Sequence, residues 1–349
     1  MFLGVEIGGT KLQFGVGRGD GRPLAKVQRL DVEPQFGAEG IRRQILQTAR
    51  PLIEAHGITG IGFGFGGPVD SERGRTITSH QVEGWQDFPL ADWCRETLGV
   101  PALLANDSDS AGLAEALFGA GKGHAVVVYN NIGSGIGGAI VIRGRLYGGS
   151  QGVAAEFGHL RPGPEAERPN QDLEAVASGW GITAAVRALV EAGRGDGRLL
   201  YEAPCSGSGA SGQDASVPFS ANFFADARDL LDRCGGSLDE LNTKIIAEAA
   251  KAGNRLAAGE FDRACRTIGW ALAQVITVLA PSVVVMGGGV SLVGEELFFR
   301  PLRHYVDQYV FPALLGTYEI VPAALGEEVV VYGALALAAE RFAGRGNAS

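Results

Sequence analysis

One pattern occurs twice in this chain: an apolar run, an Ile-Gly break with small polar residues, and a second apolar run. The first copy reads Phe2-Leu3-Gly4-Val5-Glu6-Ile7, then Gly8-Gly9-Thr10-Lys11, then Leu12 to Val16. The second reads Val126-Val127-Val128-Tyr129, then Asn131-Ile132-Gly133-Ser134-Gly135-Ile136-Gly137-Gly138, then Ala139 to Ile142. Two β-runs around a glycine turn predict a hairpin. A weak internal repeat of such hairpins predicts two related domains, each opening with one. The length agrees, because 349 residues are too many for one compact core. Glycine is abundant, 54 residues, so many positions need positive φ or close backbone approach.

The rest of the chain alternates helix and strand signals. Apolar spacing predicts helices over 37–56, from about Asp109 to Phe118, from about Gly181 to Glu191, over 261–279, and from about Val329 to Phe342. Strands are expected over 58–65, 100–105, 282–286 and 319–321. Gly66-Gly67-Pro68-Val69-Asp70 has turn chemistry, and the Ser/Gly-rich patch at 205–216 reads as a flexible surface insertion.

Composition excludes several classes. A net charge of −9 with no basic run disfavours a nucleic-acid surface. The first residues lack a basic segment before an apolar stretch, and no apolar run reaches the roughly 18 residues of a membrane span. Four scattered cysteines (Cys94, Cys205, Cys234, Cys265) without C-x-x-C fit free thiols in a reducing cytoplasm.

G-x-G-x-x-G occurs at Gly62/Gly64/Gly67, Gly133/Gly135/Gly138 and Gly207/Gly209/Gly212. A dinucleotide fingerprint also needs a helix directly after the glycines, whereas Pro-Val-Asp follows Gly67 and a strand follows Gly138. A Walker A spacing is absent. Glycine hairpins can instead form anion-binding nests of backbone N–H groups, with Thr10, Lys11 and Ser134 adding donors and charge. A third glycine cluster, Gly287-Gly288-Gly289, follows a buried strand. Asp107 ends an apolar strand near a helix start, a position that suits either a helix cap or a general base. Glu156, His159 and Glu174 offer paired acceptors and donors for a hydroxyl-rich ligand. Zinc is disfavoured, since no cysteine lies between His159 and Glu174.

Together these motifs resemble the ROK family of sugar kinases and sugar-responsive repressors, from Glu6-Ile7-Gly8-Gly9-Thr10-Lys11 to Gly333. The resemblance implies a mixed α/β, two-domain actin-like (ribonuclease-H-like) ATPase fold around an interdomain cleft. It implies a first domain over 1–118 completed by the C-terminal helix, about 329–349, and a larger domain over 119–328. Asp107 becomes the catalytic base. Gly67, Asn106, Glu156, His159 and Glu174 become sugar contacts. Gly8, Gly9, Thr10, Lys11, Gly133, Ser134, Gly135 and Gly287 to Gly289 become phosphate or nucleotide contacts. ATP with Mg2+ is the expected donor, a hexose the acceptor and a homodimer the assembly.

Three departures accompany the resemblance. Glu6 stands where family members commonly have aspartate, and it is expected near magnesium or its waters. The family's zinc cysteines are missing after His159, where Pro162, Pro164 and Pro169 stand instead, so no zinc is expected. The 205–216 patch is an insertion. A glucokinase-like enzyme is the leading expectation, with fructose, N-acetylmannosamine or N-acetylglucosamine kinases and a polyphosphate-dependent glucokinase as alternatives. A catalytically silent sugar-binding regulator is the alternative from another class. A DNA-binding repressor is not expected, because the first phosphate motif begins at residue 6.

Overall fold

The computed structural model describes residues 1–79, 81–150, 152–163, 171–194 and 221–343. The 205–216 patch, Pro164, Pro169 and Cys205 lie outside the described residues.

Both glycine patterns form hairpins. Strands β1 (Phe2–Ile7) and β2 (Lys11–Gly17) pair antiparallel, and β3 (Lys26–Asp31) adds to β2. Helix α1 (Gly37–His56) leads to β4 (Gly60–Phe65), the short β5 (Val69–Asp70) and β6 (Arg75–Thr76), α2 (Leu90–Leu98) and β7 (Ala102–Asn106). After α3 (Asp107–Phe118) the pattern restarts with β8 (Val126–Ile132), β9 (Ile136–Ile142) and β10 (Arg145–Leu146). Helices α4 (Leu173–Ala177), α5 (Gly179–Arg194), α6 (Ala221–Arg233), α7 (Thr243–Lys251) and α8 (Arg255–Leu279) follow. The chain closes with β11 (Val283–Gly287), α9 (Arg300–Tyr309), β12 (Glu319–Pro322) and α10 (Val329–Phe342).

The five-stranded sheets run β3-β2-β1-β4-β7 and β10-β9-β8-β11-β12. Numbered within each sheet, both orders are 3-2-1-4-5. The first three strands of each are antiparallel and the last two join in parallel. The weak sequence repeat is therefore a duplicated topology.

Helices α3 and α10 lie between the sheets. A side chain at Gly62 of β4 would collide with the Ala334 carbonyl, and one at Gly333 with the Ser110 carbonyl. Backbone thus packs on backbone where α10 crosses β4 and α3. On the other side of α3, Gly112 sits against Tyr129 and Ala139 of the second sheet. Apolar side chains fill the layers: Phe2, Val331, Leu335 and Phe342 between β1 and α10, and Val127, Val141, Val283 and Val330 towards the second sheet.

The sheets are joined through residues 119–125 after α3 and 323–328 before α10. Glu115, fully buried, ties both links together. Its Oε2 accepts from Ala120 N at 2.8 Å, and its Oε1 accepts from Ala324 N at 2.9 Å and Leu325 N at 2.8 Å. Three backbone donors satisfy a carboxylate whose burial would otherwise be costly.

Some expectations shift. Helix α3 begins at Asp107 rather than Asp109 because Asn106 caps it, its side chain accepting from Ser108 N and Asp109 N. The 66–70 turn ends in β5. Among the described residues no helix is long and apolar enough to cross a membrane. Cys94, Cys234 and Cys265 are free and buried.

Candidate active site

The candidate residues gather at the carboxyl ends of the parallel strands and of the two leading hairpin strands. Gly8 follows β1, Gly66 follows β4, Asp107 follows β7, Gly133 follows β8 and Gly288 follows β11. Ligands of open α/β sheets bind at this edge, where helix starts and turns offer free backbone N–H groups.

Asp107 is the first residue of α3, and Asn106 relieves it of capping. Its Oδ1 accepts from Ser108 N at 2.7 Å, while a Cβ on Gly66 would lie 3.5 Å from its Oδ2 and 3.2 Å from the Ile7 carbonyl. Asp107, Gly66 and the end of β1 therefore converge. Asn106 is committed within the protein at both ends of its amide: Nδ2 donates to the Gly67 carbonyl at 3.1 Å and Oδ1 accepts from Ser108 N at 2.8 Å.

The first turn closes with Gly8 N donating to the Lys11 carbonyl at 2.8 Å. Lys11 Nζ lies 3.0 Å from Glu6 Oε2, close enough for an ion pair although not aligned as a hydrogen bond. The bare face of Gly9 lies under the Gln81 side chain, and Thr10 is exposed.

The second turn is gripped from outside its own hairpin. Gly179 N donates to the Gly133 carbonyl at 2.9 Å, and Trp180 N to the Ser134 carbonyl at 3.2 Å. Ile136 N donates to Glu174 Oε2 at 2.7 Å. Gly288, at φ 85°, fits against the Ile132 carbonyl and the Asn131 side chain, which fastens Gly287 to Gly289 beside this turn. The bare face of Gly137 receives Ser108 of α3, so the second hairpin abuts the helix turn that carries Asp107.

Glu156 follows Ala155, whose φ of 69° is an unusual left-handed conformation for a residue with a side chain. Glu156 is exposed, yet its charge reaches both Asp107 and Asp109. His159 is also exposed, with Nδ1 3.4 Å from Asp172 Oδ2. A carboxylate beside Nδ1 suits the tautomer with its proton there and Nε2 as an acceptor.

These carboxyls are reluctant to ionise. Burial raises Asp107, with the Glu156 charge adding and Ser108 hydrogen bonds opposing. Asp109 is raised to about 7 by burial and then by the charges of Glu156 and Asp107. Burial raises Glu6 against the pull of Lys11.

The structure assembles Glu6, Lys11, Gly66, Gly67, Asn106 and Asp107 on one side, and Gly133 to Gly135 with Glu174 and Gly287 to Gly289 on the other. Asp109 and Asp172 are functional-site neighbours that the sequence motifs do not single out. The i, i+2 spacing Asp107-x-Asp109 at a helix start was the signal available for Asp109. Asp172 looked only like a neighbour of Glu174.

The model of the ROK family matches residues 2–341. The chain belongs to the ROK family. It is 32% identical over 346 residues to the glucokinase of Thermotoga maritima, covering 98% of each chain. Among solved structures, a ROK family glucokinase from Streptomyces griseus, determined in complex with glucose and AMPPNP, is similar to this ROK chain. It superimposes with a TM-score of 0.74 at 30% identity, over 97% of this chain and 99% of the other. The ROK hexokinase of Thermus thermophilus gives a TM-score of 0.72 at 26% identity, over 97% and 98%. The two halves with their 3-2-1-4-5 sheets match these structures, so this ROK chain has the actin-like fold.

Proposed function

We propose that this chain is an ATP-dependent sugar kinase with glucose as its acceptor. The observation that carries the reading is Asp107. It is a carboxylate freed from capping by Asn106, held against Gly66 and the end of β1, with a glycine turn on either side. The full-length likeness to glucokinases supports the choice of glucose over fructose and the N-acetylhexosamines. The AMPPNP complex of the Streptomyces griseus relative supports ATP over polyphosphate.

Asp107 accepts the proton of the attacking hydroxyl while the sugar oxygen bonds to the γ-phosphorus. The bond from that phosphorus to the β–γ bridging oxygen breaks, and ADP leaves. Backbone N–H groups of the 8–11 and 133–135 turns, with Thr10, Lys11 and Ser134, hold the phosphates, and Gly287 to Gly289 face the nucleotide. Gly67, Glu156, His159 and Glu174 read the sugar hydroxyls. Asn106 aligns Gly67 and the start of α3 besides lining the sugar site.

Magnesium suits this site. Glu6 has a buried carboxylate oxygen that no donor meets in hydrogen-bond alignment, 3.0 Å from Lys11 Nζ and in the field of Asp107. Glu6, directly or through water, would hold the ion, which supplies positive charge to offset that developing on the phosphoryl oxygens. Zinc has no place in the reading: His159 is engaged with Asp172, and no thiol accompanies it in the 159–174 stretch. The lobes of this kinase are 1–118 with about 329–349, and 119–328. The enzyme works in the cytoplasm as a homodimer.

Asp107→Asn tests the reading. General-base catalysis is worth about 10²–10⁴-fold, so kcat falls by that order while calorimetric glucose binding persists. Near-normal turnover in the variant removes Asp107 from its role.

A further inference from the structure

Helix α4 is only five residues long, yet it touches both sides of the site. At its start, Leu173 N donates to the Leu160 carbonyl at 2.9 Å, next to His159. Asp172 uses its two oxygens differently. Oδ1 caps the helix by accepting from Ala175 N at 2.9 Å, and Oδ2 stands 3.4 Å from His159 Nδ1. One residue into the helix, Glu174 Oε2 accepts from Ile136 N at 2.7 Å. The carboxylate is wedged between two bare turns, since a Cβ on Gly135 or on Gly158 would meet it. Beyond its end, Gly179 N and Trp180 N donate to the Gly133 and Ser134 carbonyls. The start of the segment is thus fastened to the His159 loop, and Glu174, Gly179 and Trp180 to the 133–136 turn, while Arg263 of α8 holds the Val176 carbonyl between them at 3.2 Å.

We propose that α4 is a coupling strut, with Asp172 a positioning residue at its sugar end. The inference rests on the kinase reading of the site. A sugar hydroxyl that engages His159 Nε2 steadies the ring against Asp172. That steadies the start of α4, and through Glu174, Gly179 and Trp180 it holds the 133–136 turn in its phosphate-binding shape. A network that both ligands order makes each bind more tightly when the other is present. The nucleotide site is therefore completed by the sugar, which keeps ATP from being spent on water.

The strut separates from simple helix stability at Asp172. Asp172→Ser keeps a capping oxygen for Ala175 N but cannot reach His159. Asp172→Asn keeps the shape and the cap while placing an NH2 group against Nδ1–H. AMPPNP is titrated calorimetrically into the full chain with and without saturating glucose. In the wild type glucose tightens AMPPNP binding by about 5-fold or more, the low end of ordinary coupling between sites. In both variants the gain falls below about 2-fold, while AMPPNP affinity without glucose stays at the wild-type value. Undiminished coupling in both variants overturns the proposal, and so does a wild type that turns over glucose yet shows no coupling. A wild type that binds glucose but releases no ADP from ATP removes the kinase reading itself, and the strut's role with it.

Discussion

Asp107 and Asp109 stand two residues apart on the first turn of α3 and share one electrostatic environment with different consequences. As the general base proposed above, Asp107 takes a proton only when ionised, so its raised value is expected to place the acid limb of the kcat/KM pH profile above the ordinary carboxylate range. Among the described residues no donor bonds the Asp109 carboxylate, and its value rises from 3.8 to about 7. The sign of its stability contribution follows. A carboxyl raised in the folded state contributes stability fully present below 3.8, which is lost as pH rises through about 7. Asp109→Asn is therefore expected to melt above the wild type at pH 8, with the gap shrinking towards pH 5, measured by thermal denaturation in matched buffers. A gap independent of pH contradicts this assignment. Asp107 was legible in the sequence as a cap or a base, and in the structure the cap is Asn106. Asp109 was not legible, because its shift comes first from burial and then from the charges of Glu156, which is distant in sequence, and Asp107.

Among the elements, those with a continuous apolar stripe or a glycine-turned pair of apolar runs were readable. The hairpins, α1 and α10 lie where periodicity put them, and α8 starts at Arg255 instead of Phe261 because Asn254 caps it. Strand β3 was missed because none of its residues is buried, so Lys26 to Asp31 shows no apolar alternation. Helix α2 was hidden by its Trp-containing polar surroundings, and α4 is too short for periodicity to register. Gly259 of α8 and Gly333 of α10 look alike in sequence and act oppositely in space. Gly333 of α10 lies against the Ser110 carbonyl, whereas Gly259 of α8 has open space where a Cβ would go. Alanine at an exposed helical glycine stabilises by about 0.8–1 kcal/mol, so Gly259→Ala is expected to raise the melting temperature. Gly333→Ala gains the same propensity but must push α10 off α3, at an overpacking cost of about 1–3 kcal/mol or more. It is expected to lower the melting temperature. Equal shifts in the two variants contradict the close crossing of α3 and α10.

At the scale of the molecule, two sheets with one strand order back onto a single helix pair, and their strand ends face the same space. That duplication was visible as a faint repeat. The arrangement of its joints was not, because Glu115 reads as one more polar position in α3, although its carboxylate binds both links between the sheets. Buried, backbone-satisfied charges leave no periodic trace. The same holds for the grip of α4 on the second turn. Function at this scale is transfer between two bound ligands. The central claim is that this assembled site moves the γ-phosphoryl group of ATP to glucose. The most direct measurement is ADP release by the purified full chain against glucose, fructose, mannose and N-acetylhexosamines, with polyphosphate run in place of ATP in parallel. Sugar-dependent ADP release that is fastest with glucose is the expected result. Glucose binding without ADP release from ATP contradicts it.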